Sequence, residues 1–224
     1  MPALSPKRQA VLAAEREKNA SGDRNFFRLK ERKAVMRLAP IADEELIGTR
    51  ITTYFLNNRP FVCPELSFGT PGVIARTIRA LRALGDAKAI EIADGIDGQR
   101  RSRFLMKVVV RDKDLLTVQW WEAPKSVYDE IFKAFDDDGE DLAHAKTGRD
   151  FRVSSEGNGM TKKYLCRILD PSLLAPTKEE RLRLRDESRA MVVRDSVQVN
   201  ETRALETLQD LIPEKIWPRS RSRS

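Results

Sequence analysis

The alternation of apolar and polar residues predicts short β-strands along much of the chain after residue 33. AVMRLAP, residues 34–40, predicts a strand that ends at Pro40, because proline cannot continue a hydrogen-bonded ladder. TRITTYFLNNRPFVC, residues 49–63, predicts two strands joined by a turn at Asn57 and Asn58. A later pair of strands is predicted on either side of the glycine-rich turn at 157–159.

The strongest strand signal lies between residues 103 and 121. Strands 103–111 and 115–121 flank a polar turn, and we expect a hairpin that pairs Arg111 with Leu115. That register predicts an apolar core face made of Phe104, Met106, Val108, Val110, Leu116, Val118 and Trp120. The opposite face then carries Arg103, Leu105, Lys107, Arg111, Gln119 and Trp121, in which an aromatic ring lies among cations. This arrangement suits either a DNA base stacked on Trp121 or a Trp121 ring that packs beneath a helix.

Helical periodicity appears at 71–84, where Pro71 suits the first turn and Gly85 the end. Its apolar face consists of Val73, Ile74, Ile78, Leu81 and Leu84, and its other face of Arg76, Arg79 and Arg82. A second helix is predicted over PKSVYDEIFKAF, residues 124–135, with Val127, Ile131 and Phe135 in register. The arginines fit either a solvated face or a phosphate-binding one.

These signals divide the chain into three predicted parts. Residues 1–33 form a basic arm, 34–175 a globular core, and 176–224 a helical extension that ends in RSRSRS. In the extension, Thr177 and Glu180 predict a capping box, and NETRALETLQDLI predicts a further helix. The predicted fold class is therefore α+β, mainly β, with inserted amphipathic helices and a helical C-terminal extension.

Composition indicates a globular protein with a preference for polyanions. The 224 residues carry a formal net charge of +7, and 41% of them are hydrophobic. No apolar run is long enough to span a bilayer, the N-terminal segment does not resemble a signal peptide, and the two cysteines, Cys63 and Cys166, are far apart. We therefore expect a cytoplasmic protein that binds no membrane and has no disulfide framework.

Motifs for catalysis are missing from the sequence, which predicts a protein that is not an enzyme. His144 is the only histidine, and neither a P-loop nor a GxGxxG motif occurs. A calcium loop around Gly139 lacks both obligatory carboxylates. Asp136, Asp137, Asp138 and Asp141 could in principle hold two metal ions for phosphodiester cleavage, although consecutive residues of one turn make poor rigid ligands.

The serial order of several segments resembles a known family. AVMRLAP, the aromatic strand before Cys63 and Pro64, GTPGVIAR, RFLMKVVVRDK, VQWWEAPKSVYDEI, GRDFRV and GNGMTKKYLCRI follow one another over residues 25–175. This series resembles the core of the single-stranded-DNA-binding (helix-destabilising) proteins of T-even-like bacteriophages. The resemblance implies an OB-fold-like barrel that binds single-stranded DNA with little sequence preference.

The resemblance also implies a role and a set of contacts. It implies cooperative coating of DNA in phage replication, recombination and repair within the infected host, with further copies of the chain and phage replication proteins as partners. Carried over by position, the DNA-binding residues are Arg37, Arg50, Tyr54, Phe55, Arg59, Phe61, Arg103, Lys107 and Trp121. The charge pattern adds Arg76, Arg79, Lys162 and Lys163 as candidate DNA contacts.

Two departures from the family pattern change the expectations. Many members carry a zinc site, but this chain has Gly72, Ala75, Tyr54 and Phe55 where the other ligands would fall, so Cys63 is left alone. We expect no metal and no other cofactor, with packing by Val73, Ile74 and Ile78 in place of the metal. The family's best-known members end in an acidic tail, whereas this chain ends in RSRSRS.

Other functions are compatible with the same residues. A phage virion or packaging protein would use basic tails to contact packaged genome. A metal-dependent nuclease would use the acidic loop at 136–141. RNA is a possible ligand too, because no residue pattern identifies a contact to a 2′-hydroxyl.

Overall fold

A computed structural model describes residues 26–29, 31–41, 47–112, 116–137, 141–157 and 161–217. Several expectations lie outside these residues: the conformation of the arm up to residue 25, the RSRSRS tail, the pairing of Arg111 with Leu115, and Asp138 of the acidic loop. The predictions for those segments are unchanged by the structure.

The described part of the chain is α+β, with eight strands and seven helices. The strands are β1 (Phe26–Phe27), β2 (Lys33–Leu38), β3 (Thr49–Leu56), β4 (Arg59–Val62), β5 (Arg100–Val110), β6 (Val118–Ala123), β7 (Arg149–Glu156) and β8 (Lys163–Pro171). The helices are α1 (Pro64–Phe68), α2 (Val73–Ala83), α3 (Ala87–Gly98), α4 (Lys125–Asp137), α5 (Lys178–Ala190), α6 (Val193–Ser196) and α7 (Glu201–Leu211).

The predicted turn between β3 and β4 is confirmed. Asn57 and Asn58 have φ angles of 47° and 58°, which place both residues in the left-handed region. Two such residues form the type I′ turn, whose twist matches that of the flanking strands. Asparagine tolerates this region better than most residues, so the NN pair determines the register in which Tyr54 lies opposite Phe61.

Helix α2 confirms the predicted helix and most of its apolar face. It begins at Val73, and the chain leaves it through Gly85, whose φ of 70° suits glycine. Val73, Ile74, Ile78 and Leu81 are buried as predicted. Leu84, the last member of the predicted apolar face, is 51% exposed and is not buried with the others. It lies where the chain reverses direction, beyond the last residue of the helix.

Two helices have no counterpart in the predictions. The sequence of helix α3 shows no clear apolar periodicity, because two of its three buried positions are the small residues Ala89 and Ala93. Asp86 is a sequence signal for its start, since the carboxylate accepts hydrogen bonds from the backbone N–H groups of Lys88 and Ala89 at 3.0 Å. Helix α1 occupies only one turn, and Pro64 stands at its start.

The chain divides into two compact units. The first comprises the described residues of Met1–Gly48 and Leu105–Val192, and the second those of Thr49–Phe104 and Val193–Ser224. The boundaries predicted at 33/34 and 175/176 are still predictions.

The capping box of α5 is confirmed, because Thr177 Oγ1 accepts from Glu180 N–H and the Glu180 carboxylate accepts from Thr177 N–H.

The second unit has its own apolar core. Helix α7 contributes Ala204, Leu208 and Ile212 to the cluster that contains Cys63 and Ile74. A hydrogen bond of 2.6 Å from the Val73 N–H to the Glu201 carboxylate joins the first turns of α2 and α7. An acidic side chain there also interacts favourably with the N-terminal dipole of α2.

In the first unit the strands follow the order β1-β6-β5-β2-β7-β8. Strand β1 is parallel to β6 and pairs Phe26 with Trp120 and Phe27 with Trp121, so the end of the predicted arm is a strand. Strand β2 is antiparallel to both β5 and β7, and Met36 lies between Val110 and Phe151. The sheet is mixed, and its described strands do not close into a barrel.

An aromatic contact shows that this sheet is strongly curved. The rings of Trp121 on β6 and Phe151 on β7 stack with centroids 6.2 Å apart and an interplanar angle of 24°. Three strand steps separate β6 from β7, which in a flat sheet is about 14 Å. The two rings therefore meet across the concave side of the sheet.

The predicted assignment of faces on β5 and β6 was wrong. Trp121 contacts Phe151, which pairs with Met36, so Trp121 lies on the side of Met36 and Val110. Val118 instead packs in a cluster with Val109. This is the opposite of the predicted pairing of faces, because a shift of one residue in register exchanges the two sides of a strand.

Burial also differs from the predicted separation of core and solvent. All residues from Leu105 to Val110 are buried, including Lys107. One face lies beneath the Trp121–Phe151 contact, and the other is covered by Leu174 and Leu184. A strand covered on both faces gives no alternation in burial.

Candidate nucleic-acid interface

Arg37, one of the predicted DNA contacts, is completely buried. Its Nη1 donates to Asp150 Oδ1 at 3.2 Å and to Ser172 Oγ at 3.0 Å. Its Nη2 donates to the carbonyl oxygens of His144 at 2.7 Å and Ser172 at 3.1 Å. Burial lowers the pKa of Arg37, and the neighbouring Asp150 carboxylate opposes that shift. Arg37 has a structural role here and offers no surface to DNA, so its assignment to the cleft is corrected.

Lys107 and Trp121 are likewise interior residues of the first unit. The Lys107 Nζ lies 5.7 Å from the centroid of the Trp120 ring, and only 7% of Lys107 is exposed. Trp121 is 4% exposed and stacks on Phe151. Trp121 therefore offers no accessible ring in this structure for the predicted stacking of a DNA base. Burial of the Trp121 ring and the cation–π attraction between Lys107 and Trp120 stabilise this interior arrangement instead.

Tyr54 and Phe61 belong to the core of the second unit. Both are almost fully buried, and they lie opposite each other on β3 and β4. The Tyr54 hydroxyl donates to Asp97 Oδ1 at 3.1 Å. Burial, followed by the negative charge of Asp97, raises the pKa of Tyr54 to about 12. These two predicted contacts are also corrected to core residues.

Phe55 differs from Tyr54 and Leu56 because the residue is 43% exposed. The Phe55 N–H donates to the carbonyl of Gln99 at 3.2 Å, and the Arg50 guanidinium donates to Ser102 Oγ at 3.1 Å. From the first contact to the second, residue numbers fall from 55 to 50 on β3 and rise from 99 to 102 at the start of β5. The two strands are therefore antiparallel. Side chains alternate, and Arg50 shares a face with Ser102, so Phe55 lies on the other face.

The same alternation places Arg101 and Arg103 on the face of Phe55. Pro60 lies directly opposite Phe55 on β4 and is exposed as well. We call these four residues, Phe55, Pro60, Arg101 and Arg103, the Phe55 face. Arg101 Nη1 donates to the carbonyl oxygens of Gly98 at 3.2 Å and Arg100 at 2.8 Å, which leaves its charge uncompensated. Within the described part of the chain, neither arginine forms an ion pair.

Arg50 and Arg59 border this face without belonging to it. Both are exposed, and Arg50 is held by its hydrogen bonds to Ser102. Arg59 follows the turn at Asn57 and Asn58 directly. The structure therefore brings Phe55 and Arg103 together and keeps Arg50 and Arg59 nearby. Arg101 was missed, although the run QRRSR at 99–103 is a visible signal of local positive charge.

The basic face of α2 is largely neutralised. The Arg79 guanidinium binds both oxygens of Glu65, and this contact lowers the pKa of Glu65. Arg82 forms ion pairs with Asp94 at 2.7 Å and Asp97 at 3.2 Å. Of the three arginines on this face, Arg76 is the one that is exposed and has no ion pair among the described residues. The solvated, structural interpretation thus fits Arg79 and Arg82, and Arg76 is still a candidate contact.

Lys162 and Lys163 lie on the β7–β8 hairpin of the first unit. The Lys162 Nζ lies 5.1 Å from the centroid of the Tyr164 ring. Lys163 is exposed and pairs across the strands with Glu156. These two lysines belong to a different unit from the Phe55 face.

Cys63 is a buried thiol in the core of the second unit. Val73, Ile74 and Ile78 pack in the same cluster, which confirms the predicted packing at that position. Burial raises the pKa of Cys63, which disfavours the thiolate that a metal would bind. In the described residues no group of three His, Cys, Asp or Glu side chains could hold a metal ion. The absence of zinc is still a prediction for chemical analysis.

No helix in the described ranges is long and apolar enough to cross a membrane. Comparison of the chain with models of known protein families and with curated proteins found no match. The site is therefore interpreted from its own residues.

Proposed function

We propose that this chain is a non-enzymatic protein that binds single-stranded DNA without sequence preference and that the Phe55 face takes part in binding. The observation that carries this proposal is an aromatic residue on a sheet surface, Phe55, which is 43% exposed and lies beside two arginines that lack ion pairs among the described residues. Bases stack on the ring while the guanidinium groups neutralise phosphates.

The geometry favours single strands over duplex. A base must leave its neighbours in order to stack on Phe55, and unpaired bases do so at little cost. Stacking of one base on an aromatic side chain contributes about 1–3 kcal/mol. Arg101 and Arg103 add contacts that do not depend on sequence, because they interact with the phosphodiester backbone.

An OB-fold-like architecture and the phage role belong to the same proposal. The stacking of Trp121 on Phe151 across the concave side of the sheet supports a barrel-like curvature. A chain that coats single strands in this way would serve phage replication, recombination and repair in the host cytoplasm. Its partners would be DNA, further copies of itself and the phage replication proteins.

A salt titration with single-stranded DNA, duplex DNA and single-stranded RNA tests the proposal. Phe55→Leu retains an apolar side chain but removes the ring, and we expect it to weaken single-strand binding by about 5- to 150-fold. Phe132→Leu is the matched control, because Phe132 on α4 has an exposure of 44%. Equal effects of the two substitutions, or a preference for duplex in the unmodified protein, would refute the proposal.

The arginine contribution has its own readout. Arg103→Gln should reduce the slope of log affinity against log salt by about 0.7 for single strands, because one phosphate contact is lost. Arg79→Gln serves as its control, since the Arg79 charge is already compensated by Glu65. An unchanged slope in Arg103→Gln would remove Arg103 from the interface.

A further inference from the structure

A second basic surface lies on strands β2, β7 and β8 of the first unit. On one face of these strands Lys33 lies beside Ser154, which in turn lies beside Leu165. The neighbouring rows place Arg152 opposite Arg167 and Glu156 opposite Lys163. The exposed cations Lys33, Arg152, Lys163 and Arg167 form what we call the basic sheet face.

The direct pairing of Arg152 with Arg167 is the informative feature. Side chains directly opposite in an antiparallel pair have Cβ atoms about 5 Å apart, and like charges at that distance destabilise the sheet. Neither arginine has an ion pair among the described residues. Asp150, two residues before Arg152 on the same face, is already bound by Arg37 and Arg111. Asp112, which accepts from the N–H of Val35 opposite Arg152, forms no ion pair with either arginine, so the repulsion is left without a salt bridge among the described residues.

An anion bound between the two guanidinium groups would remove this repulsion. Arginine presents planar donors that match phosphate oxygens, so the pair suits a phosphate group better than a halide ion. Ser154 supplies a hydroxyl and Lys33 and Lys163 supply charge on the same face. Glu156, the only acid in these paired rows, lies at the far end, opposite Lys163.

We propose that the basic sheet face is a second nucleic-acid contact, which binds the phosphodiester backbone through Arg152 and Arg167 without stacking any base. This goes beyond the proposed function, because a surface without an exposed aromatic ring cannot distinguish single strands from duplex. The Phe55 face then provides the preference for single strands, and the basic sheet face provides affinity for either form.

The experiment uses the full chain and a fluorescent DNA duplex of about 20 base pairs, in which no base is free to stack. Arg167→Glu replaces the like-charge pair by an opposite-charge pair with Arg152, so the melting temperature should be unchanged or raised. We expect the same substitution to weaken duplex binding by about tenfold or more and to reduce the salt slope. Gain of stability with loss of binding separates the contact from simple unfolding.

Arg203→Glu is the matched control. It changes the net charge equally, and Arg203 is exposed in the first turn of α7, where an acidic residue is favourable. Equal losses in the two variants would show that only net charge matters and would overturn the proposal. Duplex binding that persists unchanged in Arg167→Glu would also overturn it. So would a result in which Arg167→Glu loses binding to anionic phospholipid vesicles and keeps its binding to duplex. Phe55→Leu should leave duplex binding unaltered, so this inference and the proposed function can fail separately.

Discussion

Arg37 allows the sharpest test, because sequence and structure assign it different roles. As a DNA contact it would be dispensable for folding, whereas the structure buries it completely. The perturbation is Arg37→Met, which retains most of the side-chain volume and removes every donor. The surface arginine Arg50, another predicted contact, gives the matched control Arg50→Met.

The magnitude follows from the acceptors that lose their donor. The Ser172 carbonyl loses its hydrogen bond of 3.1 Å, and a buried acceptor without a partner costs about 1–3 kcal/mol. The His144 carbonyl loses a bond of 2.7 Å but still accepts from the Gly148 N–H at 3.0 Å, so it adds less to the loss. Asp150 is still held by the Arg111 Nε at 3.0 Å, so the penalty for an unpaired buried carboxylate is avoided. Burial of an apolar side chain offsets part of the loss. The expected destabilisation is about 2–4 kcal/mol.

Urea unfolding followed by tryptophan fluorescence measures this difference. For a chain of 224 residues, about 2–4 kcal/mol corresponds to a fall in melting temperature of about 4–16 °C. Arg50→Met should change the free energy of unfolding by less than about 0.5 kcal/mol. If Arg37→Met retains wild-type stability and loses DNA binding, the structural role assigned to Arg37 is wrong.

Trp121→Ala should destabilise the protein by about 3–5 kcal/mol, because it removes a buried ring that stacks on Phe151; a stably folded variant that only binds DNA less well would restore the original prediction. Stability should fall as the pH rises from about 10 to about 12, since the folded state keeps Tyr54 protonated after the unfolded state has lost its proton. Tyr54→Phe, measured by urea midpoints, should flatten this dependence, and an unchanged slope would contradict the raised pKa of Tyr54. Purified protein should contain no stoichiometric zinc and should keep its melting temperature in chelator, because apolar packing holds Cys63; a loss of structure on chelation would contradict this.

Local chemistry made several elements predictable from the sequence. The turn at Asn57 and Asn58, the end of α2 at Gly85 and the capping box of Thr177 and Glu180 each depend on residues within a few positions of one another. Their conformations follow from the backbone freedom of asparagine and glycine and from a hydroxyl group that can accept a backbone hydrogen bond. Helix α3 was not predicted, because most of its buried residues are small rather than strongly apolar.

The composition and order of residues were also sufficient to suggest a basic, aromatic surface, but they did not identify its members. Phe55 and Arg103 were among the predicted contacts and lie on one exposed face, whereas Arg37, Tyr54 and Trp121 are buried. Each of these side chains occupies a strand position, and the local sequence around the buried ones resembles that around the exposed ones. Which of the two faces meets solvent depends on what the rest of the chain places over it.

The tertiary structure therefore decided the site. Leu174 and Leu184 cover one face of the central strands, and the curvature that brings Trp121 to Phe151 closes the other. Those covering residues are distant in sequence, so no local pattern can reveal them. A period of two assigns residues to opposite sides of a strand, but burial and charge compensation are properties of neighbours that only the folded chain brings together.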